Sequence, residues 1–151
     1  PVFLNDEVYS IYTAAARLVG PEKQKEIVEL SGEVMFSELE KRLKLDTLDP
    51  IGLIRELISY LERVGYFAKG KVEQISENEL VIHMHDAACH DGVVKLKNEG
   101  AYPPHFCTVL IFAGLKKMFD IQVELTHLDL GPNEPPYHSI EKWVLKKSEG
   151  A

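Results

Sequence analysis

The 151 residues include 24 acidic and 17 basic side chains, giving a net charge of -7, and 45% of the chain is hydrophobic. This acidic balance, with no basic run longer than two lysines, argues against a nucleic-acid or anionic-membrane surface as the main function. The length predicts a single domain over residues 1–151 with a sizeable core. No apolar run approaches the roughly 18 residues of a membrane span, and no signal-peptide pattern is present, so we expect a cytoplasmic protein with free or metal-bound thiols.

The first 65 residues predict three helices, because apolar residues recur at helical spacing and each run ends at a helix-stop signal. We expect the first helix over 6–19 and the second over 22–44. The third begins at Pro50, behind the capping residue Asp49, and ends at Gly65. The predicted buried stripes are Val8, Ile11, Tyr12, Ala15 and Leu18 in the first helix and Ile27, Leu30, Val34, Leu39 and Leu43 in the second.

After Gly65 the apolar pattern changes from helical spacing to alternation, which is typical of strands. The predicted elements are strands over 67–74 and 79–85, a short element over 93–96 within a loop, a helix over 105–119, and strands over 121–129 and 137–146. Helices followed by a hairpin, a helix and a second hairpin predict an α+β domain. Its N-terminal helices pack on one face of a small, mostly antiparallel sheet.

The stretch HMHDAACH, residues 83–90, contains three of the six histidines and one of the two cysteines. Strand alternation puts His83 and His85 on the face opposite the apolar residues of their strand. We therefore interpret these two histidines as exposed or interfacial side chains and not as metal ligands. For the loop residues Cys89 and His90, a functional role and the absence of any role are both open interpretations.

The remaining histidines and cysteine follow downstream, at His105, Cys107, His127 and His138, and helical spacing places His105 outside the buried stripe of its helix. Helical spacing places Cys107 on a buried stripe. Strand alternation places His127 on the apolar face of its strand and His138 on the same face of its strand as Ile140 and Val144. We expect Cys107, His127 and His138 to converge between the last helix and the last hairpin. Because zinc prefers tetrahedral Cys and His ligands, the predicted site is a zinc centre. The candidate ligands are Cys107, His127 and His138, and the loop residues Cys89 and His90 lie beside them as candidates to complete the set.

Two observations leave open the alternative that these residues do not form a metal site. The spacing of these residues matches none of the compact zinc motifs. A lone buried cysteine such as Cys107 is also commonly a small apolar core residue.

The order of elements and a C-terminal motif together resemble the 4-vinyl reductase domain family, whose fold is related to haem-type nitric-oxide sensors and to TRAPP trafficking subunits. The motif is formed here by Cys107 with FAGL, Glu124 and His127 in ELTHLDLG, Gly131, and His138 in PYHSIEKW. The family has cysteines where this chain has His127 and His138, and its turn between them is shorter. Exchange of Cys for His keeps the character of a metal ligand.

The resemblance implies a binding or sensor domain for a hydrocarbon-like small molecule. We expect an apolar pocket between the helices and the sheet, lined by residues such as Leu110, Ile111, Phe112 or Met118. In the alternative interpretation the same residues are ordinary core.

Two other functions remain in competition with small-molecule binding. One is a metal-dependent enzyme, in which a carboxylate such as Glu124 or Asp86 assists a three-ligand metal. The other is a non-catalytic assembly protein. Apolar Val2, Phe3 and Leu4 have no evident cover in the sequence pattern, which predicts a homodimer.

Overall fold

The computed structural model describes residues 2–46, 48–102 and 105–147. These residues form an α+β fold with the N-terminal helices packed on an antiparallel sheet, as predicted. The helices are α1 (Val2–Val19), α2 (Pro21–Glu40), α3 (Pro50–Arg63), α4 (His90–Asn98) and α5 (Phe106–Phe119). The strands are β1 (Lys69–Gln74), β2 (Glu79–His85), β3 (Ile121–Asp129) and β4 (His138–Lys147), in the sheet order β1-β2-β4-β3.

The start of α3 confirms the predicted cap. Asp49 accepts a hydrogen bond from the Gly52 amide at 2.6 Å, and Pro50 occupies the first turn, where its missing N–H has no cost. The second helix is shorter than the predicted range 22–44. It ends at Glu40 because the chain must turn for Leu45 to reach the core, where only 3% of that residue is exposed.

The buried face of α2 differs from the predicted stripe. Of the predicted positions, only Leu39 is buried, whereas Ile27, Leu30 and Val34 are exposed. The reason is a close approach of α2 to α5, since a Cβ atom added to Gly32 would lie 2.5 Å from the carbonyl oxygen of Val109. The side of α2 that carries Gly32 is therefore the one that packs, and the buried residues are Gln24, Val28, Gly32, Phe36 and Leu39.

A full helix, α4, occupies the region where the sequence predicted a loop with a short element over 93–96. Val93 and Leu96 are buried one turn apart, and the Gly92 amide donates to Asn5 Oδ1 of α1 at 3.0 Å. Packing against α1 thus stabilises a segment with weak helix signals of its own.

The sheet has one face covered by helices and one face that no described helix covers. On β4 the covered face carries Ser139, Glu141, Trp143 and Leu145, all buried, and the other face carries His138, Ile140, Lys142 and Val144. We call these the inner and the outer face. No helix in the described ranges combines the length and apolarity that crossing a bilayer requires.

Candidate functional site

Cys107 lies in the core on the inner side of the sheet. Its Sγ is 3.2 Å from Sδ of Met84, a buried residue of β2, and only 2% of Cys107 is exposed. Burial raises the pKa of the Cys107 thiol well above its ordinary value, and the nearby charge of Glu141 acts in the same direction. A protonated thiol in apolar surroundings fits the alternative interpretation, in which Cys107 is a core residue.

His127 does not face the apolar side of β3, so that prediction is wrong. Along β3, Leu125 pairs with Trp143 and His127 pairs with the next residue of β4, Lys142, which leaves Thr126 as an extra residue in a bulge. A bulge reverses the alternation of side chains that follow it. His127 is consequently exposed.

His138 shares its parity with Ile140 and Val144, as predicted, but these residues lie on the outer face and not toward the helices. His138 and Cys107 are therefore on opposite sides of the sheet, and the predicted convergence is wrong. Cys89 is buried in a second cluster, together with residues of α1, α2, α4 and α5. In the described ranges, no three His, Cys, Asp or Glu side chains come together as the predicted multi-ligand zinc centre requires.

The predicted ligand-contact residues are mainly core. Leu110 and Ile111 are buried in the main cluster, and Met118 packs against it. None of the three lines the groove between α2, α5 and β3 or the cavity beside it, whereas Phe112 lines both. The two carboxylates considered for catalysis are engaged elsewhere, since Asp86 accepts from the Tyr137 amide at 2.9 Å and exposed Glu124 pairs with Lys146.

A buried carboxylate forms the most unusual feature of the inner face. Glu141 is 1% exposed and accepts hydrogen bonds from Thr108 Oγ1 and Trp143 Nε1, each at 2.9 Å. His105 Nδ1 lies 3.2 Å from its other oxygen. We call these four side chains the polar centre. Such a carboxylate is costly to bury unless it is paired, and here donors from two elements satisfy it.

Two buried histidines, His105 of the polar centre and the neighbouring His90, each have one ring nitrogen that lacks a hydrogen-bond partner among the described residues. The atoms are Nε2 of His105 and Nε2 of His90, and the two ring centroids are 6.3 Å apart. The Nδ1 atom of His90 lies 3.3 Å from Ser139 Oγ, and the ring of Tyr137 stacks on it at 4.4 Å between centroids. Burial lowers the pKa of His90, with a further contribution from His105, so the neutral imidazole is favoured.

Three histidines meet on the outer face, and we call them the histidine cluster. His83 Nδ1 is 2.9 Å from His138 Nε2, and the ring of His85 stacks on His138 at 4.2 Å between centroids. The predicted outward orientation of His83 and His85 is confirmed, and both are half-buried. Burial lowers the pKa of His138, and the neighbouring His85 and His83 lower it further.

A groove opens between α2, α5 and β3 with a volume of about 310 Å³. Its floor is apolar, and its rim carries charged and amide side chains. The lining residues are Val109, Phe112, Ala113, Ile121 and Val123 on the floor and Glu29, Glu33, Lys116 and Gln122 on the rim. A neighbouring cavity of about 500 Å³ shares Glu29, Phe112, Gln122 and Val123 with it and extends toward Tyr102.

The polar centre lies directly behind the floor of this groove. Phe112 contacts the Trp143 indole edge-on, with 4.8 Å between ring centroids and 78° between planes. The same indole donates to Glu141. Through Trp143, the buried carboxylate therefore fixes the aromatic floor against which a molecule in the groove would rest.

Comparison of the chain with models of known protein families and with curated proteins finds no match. The resemblance to the 4-vinyl reductase domain family therefore stays a prediction.

Proposed function

We propose that this protein is a small-molecule-binding domain that holds a hydrocarbon-like ligand in the groove between α2, α5 and β3. The observation that carries the proposal is the apolar floor at this position, with Phe112 held in place by Trp143. A volume of about 310 Å³ is at the lower end of the range for ligand pockets, roughly 300–1,000 Å³. The proposal keeps the predicted location between the helices and the sheet and replaces Leu110, Ile111 and Met118 with the floor residues.

The charges at the rim favour an uncharged ligand. Lys116 Nζ lies 3.6 Å from Glu33 Oε1, so the lysine is already paired with a carboxylate. Glu29 is similarly close to Lys25, at 3.9 Å. Neither sign of charge is left in clear excess for a charged ligand to pair with, whereas burial of an apolar body on the floor contributes roughly 25 cal/mol per Å².

Trp143 provides a direct reporter of binding, since it is the one tryptophan in the sequence. N-phenyl-1-naphthylamine, an uncharged fluorescent probe, is titrated into the protein while both probe emission and energy transfer from Trp143 are recorded. We expect saturable binding with energy transfer, because the groove floor touches the indole through Phe112.

Matched variants separate the groove from unspecific binding. Ala113→Leu fills the groove from its floor, and we expect at least tenfold weaker binding. Met118→Leu, on the same helix but outside the groove, is the control and should bind as the parent does. Equal binding by all three proteins would contradict the proposal.

A second property, homodimerisation, is supported by an uncovered apolar stripe on α1. Leu4, Ile11 and Leu18 are 38%, 58% and 84% exposed and recur every seven residues, which is the period of helix–helix packing. Because a symmetric pair of such stripes is self-complementary, the proposed partner is a second copy of this chain.

Light scattering at micromolar concentration tests the dimer. We expect the parent to have twice the mass of the chain and Ile11→Glu to be monomeric. Ile75→Glu, which changes an equally exposed apolar residue outside α1, is the control and should remain dimeric. A monomeric parent would exclude the dimer without affecting the proposal for the groove.

A further inference from the structure

We propose that the histidine cluster on the outer face binds a divalent late transition-metal ion through His83 and His138. This site is separate from the groove and shares only His138 with the zinc ligands that the sequence predicts. Its basis is the arrangement of two imidazole rings and one carboxylate across strands β1, β2 and β4.

The two ring nitrogens that face each other are separated by the distance expected of two ligands on one metal ion. His83 Nδ1 and His138 Nε2 are 2.9 Å apart. Bond lengths of about 2.0–2.1 Å and angles between octahedral and tetrahedral values place two nitrogen ligands roughly 2.9–3.4 Å apart. Without a metal, one of these nitrogens must carry the proton that the other accepts. When a metal ion binds, this ring moves its proton to its other nitrogen, so that both facing nitrogens present a lone pair to the ion.

The carboxylate of Glu73 lies beside the ring of His83, on the side that faces away from His138. His83 Nε2 lies 3.4 Å from Glu73 Oε2, so the nitrogen turned away from His138 is oriented toward a carboxylate. Histidine ligands of metals usually donate their second ring N–H to such a group, which fixes the tautomer. Glu73 thus favours the tautomer in which Nδ1 of His83 has a free lone pair.

The remaining coordination positions belong to water. The described side chains do not present three donors to one point, so the ion takes two ring nitrogens of the protein. His85 pairs with His138 across the strands, and its half-buried ring stacks on that of His138. Imidazole ligands favour Cu²⁺ over Ni²⁺ and Zn²⁺, so Cu²⁺ is the most sensitive probe.

Calorimetric titration of tag-free protein with CuCl₂ at pH 7.5, in a weakly coordinating buffer, tests the site. We expect one high-affinity ion per chain, and at least a tenfold loss of affinity in His83→Asn and in His138→Asn. Glu73→Gln should weaken binding by about tenfold, the lower end of the effect of removing a carboxylate behind a histidine ligand. His127→Asn, which removes an exposed histidine of the neighbouring strand, is the matched control and should bind as the parent does.

A measurement on the unaltered protein tests the site without depending on whether the variants fold. At a substoichiometric amount of Cu²⁺, paramagnetic broadening should remove the ring signals of His83 and His138 before that of His127. Equal broadening of all three, or a loss of affinity in His127→Asn as large as in His83→Asn, would overturn the proposal. Neither result depends on whether the groove binds a small molecule.

Discussion

The Trp143 indole donates its Nε1–H to the carboxylate of Glu141, two residues earlier on β4, at 2.9 Å. Both side chains lie on the inner face, where the carboxylate also accepts from Thr108 of α5. This pairing joins the sheet to the helix that forms the groove floor. Glu141 therefore has a structural role, because a carboxylate is costly to bury without hydrogen-bond partners.

Removal of the buried carboxylate should strongly destabilise the protein. In Glu141→Ala the Thr108 and Trp143 donors and His105 lose their partner, so we expect the free energy of unfolding to fall by about 2–5 kcal/mol, from about 1–3 kcal/mol for each buried group left unsatisfied. Urea denaturation measures this change. Glu124→Ala, which breaks only an exposed ion pair on β3, is the control, with an expected loss of about 0–1 kcal/mol. A loss below 1 kcal/mol for Glu141→Ala would contradict this role.

Gly32→Ala should destabilise the contact between α2 and α5, although alanine is the better helix former. Helix propensity alone predicts a gain of roughly 1 kcal/mol. However, the new Cβ would meet the backbone oxygen of Val109 at 2.5 Å, and backbone cannot move aside as a flexible side chain does. We expect a net loss of about 1–3 kcal/mol in urea denaturation, as for other overpacked cores. A gain in stability would show that the two helices are not in such close contact.

Stability should decrease as the pH falls below the ordinary pKa of histidine. The pKa of His138 is lowered in the folded protein, first by burial and then by the nearby His85 and His83. Between about pH 6.5 and the lower folded pKa, His138 therefore binds its proton more strongly in the unfolded chain than in the folded protein. The stabilising contribution is complete above that pH and is lost as the pH falls toward the folded pKa.

The comparison is made by urea denaturation at pH 7.5 and pH 5.5 in the presence of a chelator. We expect a lower midpoint at pH 5.5 for the parent and a smaller decrease for His138→Asn. The exposed-histidine variant His127→Asn should show the full decrease. If His138→Asn loses as much stability as the parent, the histidine cluster does not contribute to this pH dependence.

Both thiols should react slowly in the native protein. Cys89 and Cys107 are free and buried, and burial raises the pKa of each above its ordinary value. Because the thiolate is the reactive form, we expect labelling by a disulfide reagent at pH 8 to be about a hundredfold slower than after unfolding. Rapid labelling of Cys107 in the native protein would contradict its position in the core.

The sequence predicts the fold class well because it depends on periodicity, which local patterns carry. The change from helical spacing to alternation marked the strand region, and Asp49 with Pro50 marked the start of α3. The face of α2 could not be predicted in this way. It carries apolar residues on two sides, and the choice between them depends on the close approach of Val109 to Gly32.

The site was harder to predict because a single bulge reverses the side-chain alternation. Thr126 is the extra residue that turns His127 outward, and the sequence ELTHLDLG contains no signal that predicts this bulge. Glu141 was also missed. The signal that could have found it is its shared parity with Trp143, which places a carboxylate beside a large aromatic residue on the inner face of β4.

The most direct test of small-molecule binding is the detection of nuclear Overhauser contacts between bound N-phenyl-1-naphthylamine and methyl groups of the protein. The proposed groove predicts contacts from the probe to methyls of Val109, Ile121 and Val123. Contacts confined to the α1 stripe at Leu4, Ile11 and Leu18, or the absence of contacts at the groove under saturating probe, would contradict the proposed function.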